Sequence, residues 1–155
     1  MSTECTFNSD TTDIKKLKTI LIAMVEKLAF KLRDEQKLTS CVTVKIRYTN
    51  FDTETKQIHI AYTASDRTLI DHVMTLFDRL YSRRMLLRLV GVRFSGLVHG
   101  NYQINLFNDT EESIKLYQAL DKIRTKYGQE SIIRAATDDV NKRVRMTSNV
   151  FSGDV

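Results

Sequence analysis

Few of the side chains that could do chemistry are spaced for it. The adjacent carboxylates Asp138 and Asp139 fall in a predicted loop near the C-terminus. Two-metal catalysis needs clustered carboxylates, so a solvated acidic pair is the favoured interpretation. His59, His72 and His99 fall on a predicted strand, a helix and a loop, without an HExxH or nucleophile motif. We therefore expect ordinary surface or boundary histidines and no catalytic residue in this chain.

Metal and nucleotide motifs are also missing from the sequence. Cys5 and Cys41 stand without a CxxC pair or a nearby histidine pair, which argues against a zinc site or a disulfide framework. The glycines at 91 and 96 do not form GxGxxG, and neither a GxxxxGK[ST] loop nor an RNP1 pattern occurs. We expect no metal and no cofactor in this chain.

The charge balance favours a polyanionic partner. The 155 residues contain 24 Lys and Arg against 19 Asp and Glu, a net charge of +5. Residues 1–107 hold 16 basic and 11 acidic side chains, whereas residues 108–155 hold 8 of each. No run approaches the roughly 18 apolar residues of a membrane span, and the N-terminus lacks a signal-peptide pattern. The sequence predicts a soluble, cytoplasmic protein with no membrane partner, whose basic surface lies before residue 108.

Hydrophobic periodicity predicts two strand–helix units around a hairpin. Residues 3–7 form a β-prone run before a cluster of capping side chains, and an apolar helical stripe follows. Residues 42–49 alternate apolar and polar, and residues 58–63 make the hairpin partner. The apolar stripes comprise Ile14, Leu17, Leu21, Met24, Val25, Leu28 and Leu32 in the first helix, and Leu69, Val73, Leu76, Phe77 and Leu80 in the second.

A long strand over residues 87–98, with glycines that mark bends or close approach, completes the order βαββαβ. This order predicts an α+β, ferredoxin-like sandwich, in which a four-stranded, mainly antiparallel sheet carries two helices on one face. The other face stays open. It bears Lys45 and Arg47 with Arg93 and Ser95 on a neighbouring strand, which suits contacts to DNA phosphates but equally an ordinary solvated sheet.

The chain beyond Gly100 divides into a short segment, a helix and a tail. Gln103, Leu106 and Phe107 offer an amide hook and two apolar anchors, so residues 101–108 could dock extended into a groove, or form an edge strand. A C-terminal helix over 109–128 is capped by Asp109 and ends before Gly128. Its apolar stripe comprises Ile114, Tyr117, Leu120, Ile123 and Tyr127. Residues 129–155 are expected to form a partly flexible tail, and residues 1–100 the main domain.

Four sequence strings, in order, resemble one family. They are Glu4-x-Thr6-Phe7, residues 42–51 with Thr55-Lys56-Gln57, residues 87–95, and residues 103–107. Together they are similar to the C-terminal domain of bacterial Y-family DNA polymerases of the DNA polymerase IV type, called the little finger or polymerase-associated domain.

The resemblance implies a sheet that lies in the DNA major groove and contacts mainly the backbone of primer-template DNA. The contacts it implies come from Thr43, Lys45, Arg47, Lys56, Arg88, Arg93 and Ser95. Leu89 departs from family members that carry a basic residue there. Gln103, Leu106 and Phe107 would bind the β sliding clamp. The family's catalytic domains, which need Mg²⁺, would precede Glu4 and be a further partner.

The leading hypothesis is therefore a non-catalytic DNA-binding domain of a translesion polymerase. One alternative is a protein-interaction module that acts mainly through the clamp motif. Another is a small ferredoxin-like hydrolase such as an acylphosphatase, to which residues 91–94 have a superficial similarity. That enzyme class needs a phosphate-cradling loop followed by a helix, which the sequence does not show.

Overall fold

Strands and helices alternate along the computed structural model, which describes residues 1–100 and 111–137. The strands are β1 (Ser2–Thr11), β2 (Lys37–Tyr48), β3 (Thr53–Thr63), β4 (Leu87–Ser95) and β5 (Val98–His99). The helices are α1 (Ile14–Asp34), α2 (Asp66–Leu80) and α3 (Glu111–Tyr127), followed by short 3-10 turns at Gln129–Ser131 and Ala135–Thr137. The predicted βαββαβ order is confirmed.

The four long strands form one antiparallel sheet in the order β1-β4-β2-β3. Helix α1 joins β1 to β2, and β4 lies between those two strands. Helix α2 joins β3 to β4, and β2 lies between them. Two split β-α-β units are thus interleaved, with β4 and β2 at the centre. The α+β class is confirmed. Because of this interleaving, β4 and β2 are each paired with a strand on both sides.

The core lies between one sheet face and helices α1 and α2. Val42, Val44 and Ile46 of β2 are fully buried, as are Val90 and Phe94 of β4. Burying such side chains contributes roughly 1.5–3 kcal/mol each. The helical side of the core includes Leu17, Leu21, Met24, Val25, Leu28 and Leu32 of α1 and Leu69, Val73, Leu76, Phe77 and Leu80 of α2. These are the predicted stripes, except that Ile14 is 48% exposed because it begins α1 beyond the edge of the core.

Local side-chain chemistry sets the ends of these elements. Asp13 caps α1, and its carboxylate accepts from the Lys16 backbone N–H at 3.2 Å. Ser65 occupies the N-cap position of α2 without a side-chain cap bond, while Thr63 Oγ1 accepts from the Ser65 N–H. The predicted strand over residues 87–98 is two strands, because Gly96, at φ +62°, turns the chain and β5 then pairs with β2.

Helix α3 packs on the domain through a largely buried ionic cluster. The Arg33 guanidinium, 4% exposed, donates to Asp66 Oδ1 at 2.5 Å and to both carboxylate oxygens of Asp121 at 2.6 and 2.9 Å. It also lies 5.2 Å from the centre of the Tyr117 ring. Arg134 adds an ion pair with Glu26 at 2.5 Å. These contacts join α3 and the segment after it to α1 and α2.

One prediction for this region needs correction, the buried stripe of α3. Ile123 and Tyr127 are exposed, because α3 meets the domain near Ile114 and Tyr117 and through Arg124, which donates to the Ile132 carbonyl. Residues 129–137, the first part of the expected tail, form two 3-10 turns held to the domain. The helix itself ends before Gly128 as predicted, with that glycine at φ +97°. Asp109 and residues 138–155 lie outside the described residues.

Candidate nucleic-acid interface

Strand register defines the sheet face opposite the helices, here called the outer face. Directly opposed residues of antiparallel strands point to the same side. Thr43 is opposed by Arg93 and Gln57, Lys45 by Gly91 and Thr55, and Arg47 by Leu89 and Thr53. Strand β1 adds Glu4 opposite Gly91 and Thr6 opposite Leu89. The outer face therefore contains three cross-strand rows, centred on Thr43, Lys45 and Arg47 of β2, and each of these three residues is a predicted DNA contact.

Glu4 of β1 and Lys45 of β2 form an ion pair across β4, the strand between them. Glu4 Oε1 lies 2.9 Å from Lys45 Nζ, although β4 separates their strands. The residue of β4 between them is Gly91, and a Cβ there would lie 2.9 Å from Glu4 Cγ. The absence of a side chain at 91 thus lets the two charges meet. Glu4 was not among the predicted site residues, although its period-two spacing with Thr6 could have placed it on this face.

The two arginines of the outer face differ in how they are held. Arg47 Nε donates to Thr53 Oγ1 at 2.9 Å, which fixes one edge of the guanidinium. Arg93 is exposed, and its side chain forms no hydrogen bond or ion pair with the described side chains, which exclude those of residues 8–11. Near it, the Met1 ammonium donates to the Phe94 carbonyl at 2.8 Å. Burial first, and then the Arg93 charge, lower the pKa of that ammonium. Among the described side chains, none competes with an anion for the Arg93 guanidinium.

Thr43 and Ser95 lie on the outer face, beside the arginines. Thr43 shares a row with Arg93, and Ser95 is opposed by Cys41 in the row beyond it. Both side chains are half-buried. Structure and sequence agree on this placement, so five of the predicted contacts come together on one surface: Thr43, Lys45, Arg47, Arg93 and Ser95.

Lys56 is placed apart from that surface. Its partner in the register is Val44, whose side chain is buried in the core, so Lys56 lies on the helix side of the sheet at edge strand β3. Its side chain is exposed there. The prediction that Lys56 binds DNA remains a prediction, but Lys56 does not share a face with Lys45.

Arg88 lies in a β-bulge. Arg47 is opposed by Leu89 and the next residue, Tyr48, by Leu87, which leaves Arg88 without a partner on β2. Its guanidinium carbon lies 4.9 Å from the centre of the Phe51 ring in the β2–β3 turn. Phe51 is 64% exposed and was not among the predicted site residues. The bulge brings this pair to one end of the outer face, next to Arg47.

Other predicted features lie elsewhere. Gln103, Leu106 and Phe107 fall outside the described residues. Within the described residues no group of three His, Cys, Asp or Glu side chains could hold a metal ion. No helix there is long and apolar enough to cross a membrane. The hydrolase alternative is not supported, because residues 91–94 lie inside β4 rather than in a loop that precedes a helix.

These features define an α+β sandwich in which helices cover one face of the sheet, while the other face is basic and is covered by none of the described helices. Residues 1–106 match the C-terminal domain of the impB/mucB/samB family. The chain therefore belongs to the impB/mucB/samB family and contains its C-terminal domain. The resemblance noted in the sequence is confirmed.

Known proteins with similar sequences are DNA polymerases IV. The chain is 35% identical over 140 residues to DNA polymerase IV of Clostridium acetobutylicum, covering 87% of this chain and 35% of that protein. It is 34% identical over 134 residues to DNA polymerase IV of Dehalococcoides mccartyi, covering 85% and 34%. The chain thus spans about a third of the length of these curated relatives.

A similar fold occurs in the solved complex of a β-clamp processivity factor with the little finger domain of PolIV. The TM-score is 0.50 at 20% identity, with 61% of this chain and 85% of that chain covered. At this identity the match is evidence for the fold, and it confirms the α+β class with an antiparallel sheet.

Proposed function

We propose that this chain is the little finger of a translesion DNA polymerase and holds primer-template DNA through its outer face. The carrying observation is the placement of Arg47 and Arg93. Their rows are four residues apart on β2, from Arg47 to Thr43, which is about 13 Å along a strand. The major groove of B-DNA is about 12 Å wide. Arginines at this separation can reach phosphates on both sides of the groove.

The surface between the two arginines suits a backbone-gripping role. The middle row contains Glu4, Gly91, Lys45 and Thr55, and because of Gly91 no side chain of β4 protrudes there. Hydroxyls at Thr43 and Ser95 can donate to phosphate oxygens, and such contacts position DNA without reading its sequence. The face therefore suits tethering of DNA whatever its sequence.

A two-charge substitution tests this function. Arg47→Ala/Arg93→Ala is expected to weaken binding of a fluorescent primer-template at least about tenfold, since hydrogen bonds to charged groups contribute roughly 1.5–3 kcal/mol each. The control Arg67→Ala/Arg79→Ala removes two exposed charges from α2, on the other side of the sheet. Fluorescence anisotropy at low salt measures both. Equal effects of the two double variants would reject the outer face as the binding surface.

The clamp motif is a separate part of the proposal. Gln103, Leu106 and Phe107 follow the sheet domain directly and are proposed to bind the β sliding clamp. Support comes from the structurally similar little finger, which was solved in complex with a β clamp. Immobilised clamp should capture the native chain but not the Leu106→Ala/Phe107→Ala variant, while both proteins bind DNA with the same affinity. Unchanged capture would reject the motif.

The remaining expectations concern the longer protein. Since the matched polymerases are about three times as long as this chain, catalysis is proposed to lie in domains before Glu4 that bind Mg²⁺. This chain is proposed to need no cofactor of its own and to act in the cytoplasm. Adding the catalytic domains should tighten DNA binding, because linked domains share one DNA.

A further inference from the structure

The turn between β2 and β3 displays an aromatic ring in an unusual backbone conformation. Phe51 has φ +69°, in the left-handed region that bulky residues rarely adopt. The residue is nevertheless 64% exposed, so burial of the side chain does little to offset that cost. Residues in such conformations persist where the surroundings hold them, and they concentrate at functional sites.

Hydrogen bonds hold this turn in place. The Phe51 N–H donates to the Tyr48 carbonyl at 3.0 Å, and the Asp52 N–H donates to Asn50 Oδ1 at 3.1 Å. The Asn50 amide donates to Asp52 Oδ2 at 2.8 Å, and the same oxygen pairs with Arg83 at 3.2 Å. The turn therefore holds the Phe51 backbone in place, so the point from which the ring projects is fixed before DNA binds.

A second irregularity places a cation on the ring. The bulge at Arg88 brings its guanidinium carbon to 4.9 Å from the ring centre. Among the described side chains, which exclude those of residues 8–11, neither the Arg88 nor the Phe51 side chain forms another hydrogen bond, ion pair or ring contact. A turn and a bulge on different strands thus converge on one exposed aromatic–guanidinium pair, and both groups are flat surfaces on which a nucleobase can stack.

We propose that Phe51 and Arg88 form a stacking site for an unpaired nucleobase of bound DNA. This rests on the proposed function, because the pair adjoins the Arg47 row of the outer face, where Leu89 follows Arg88 directly. A strand whose phosphate contacts Arg47 can place its next unpaired base against the pair. The Arg88 guanidinium on the ring favours an anionic partner such as nucleic acid, since Arg83, the other cation at the turn, is already paired with Asp52 and Glu54.

Two DNA probes test the inference: a blunt duplex, and the same duplex with a four-nucleotide 5′ overhang on the template strand. The 155-residue chain should prefer the overhang between roughly fivefold and 150-fold, the range for stacking of one base. Phe51→Asn accepts the left-handed conformation but has no aromatic ring, so it should abolish the preference and leave duplex affinity within about twofold. Phe51→Tyr should keep the preference.

A spectroscopic readout makes the result specific. With 2-aminopurine as the first unpaired base, its fluorescence should fall on binding to the native chain and not on binding to Phe51→Asn. The inference would be overturned if Phe51→Asn kept the overhang preference, or if the native chain showed no such preference. The second result is also the one expected if the ring binds a protein instead of DNA. Failure of the native chain to bind the blunt duplex would instead count against the proposed function.

Discussion

Glu4 and Lys45 form an ion pair at 2.9 Å across β4, over the position that Gly91 leaves without a side chain. The pair ties edge strand β1 to central strand β2 on the surface proposed to bind DNA. It also means that Lys45 already has an anionic partner in the free protein. A phosphate that binds Lys45 must compete with the Glu4 carboxylate.

Removal of that competitor should tighten DNA binding. Exposed ion pairs contribute about 0.2–1 kcal/mol, so Glu4→Gln is expected to raise primer-template affinity by up to about fivefold. In a Lys45→Met background the same change should have a much smaller effect. Anisotropy titrations of the four proteins give the coupling between the residues. Equal gains in both backgrounds would show that Glu4 acts by long-range repulsion and not through Lys45.

The glycine under the ion pair should resist substitution. A Cβ at 91 would lie 2.9 Å from Glu4 Cγ and 3.3 Å from the Thr3 carbonyl oxygen. Gly91→Ala is therefore expected to cost about 1–3 kcal/mol of unfolding free energy, the usual range for overpacking. Adding Glu4→Ala should recover part of that loss, as measured by urea unfolding. No recovery would place the conflict at the backbone of Thr3.

The buried arginine that anchors α3 should dominate the stability of that region. Arg33→Met leaves the carboxylates of Asp66 and Asp121 without their main partner, which is expected to cost about 3–5 kcal/mol. Lys31→Met is the control on the same helix, because its pair with Glu35 is exposed and contributes about 0.3–0.5 kcal/mol. Urea unfolding followed by circular dichroism compares the two. Similar small losses would contradict the anchoring role.

The buried carboxyl of Glu26 should make stability depend on pH. Burial raises its pKa above the ordinary 4.5, although the hydrogen bond and charge of Arg134 act in the opposite direction. The folded state then holds this proton more tightly than the unfolded state. Its contribution to stability is therefore largest below pH 4.5 and falls as pH rises through the raised folded pKa.

Unfolding free energies of the native chain and Glu26→Gln, measured from pH 4 to neutrality, test this sign. The native value minus the variant value should decrease as pH rises, since the glutamine cannot titrate. A difference that increases with pH would mean that Arg134 outweighs burial.

Local pattern was enough to predict the outer face but not its details. The alternation along β2 predicts Lys45 and Arg47 on the open side, because the buried Val44 and Ile46 fix the other side. Alternation along β3 could also have placed Lys56, which lies two residues before Ile58 and therefore on the face that packs against the core. It was grouped with the outer-face contacts only because the family resemblance implies that it binds DNA.

The features that sequence analysis missed depend on contacts between distant segments. Arg33 has the sequence appearance of a charged residue near a helix end, and its burial depends on Asp66 and on Asp121, which is 88 residues away. The bulge at Arg88 is equally hidden, because Leu87 and Leu89 look like one alternating strand. The order β1-β4-β2-β3 is set by packing of the whole sheet.

The dependence of DNA affinity on salt tests the central claim most directly. If the outer face contacts about four phosphates, the logarithm of the affinity for primer-template should fall with the logarithm of salt concentration at a slope of about −3 to −4. Arg47→Ala/Arg93→Ala should reduce the steepness by about 2, and the α2 control Arg67→Ala/Arg79→Ala should leave it unchanged. A flat salt response of the native chain, or the same slope in the outer-face variant, would contradict the account.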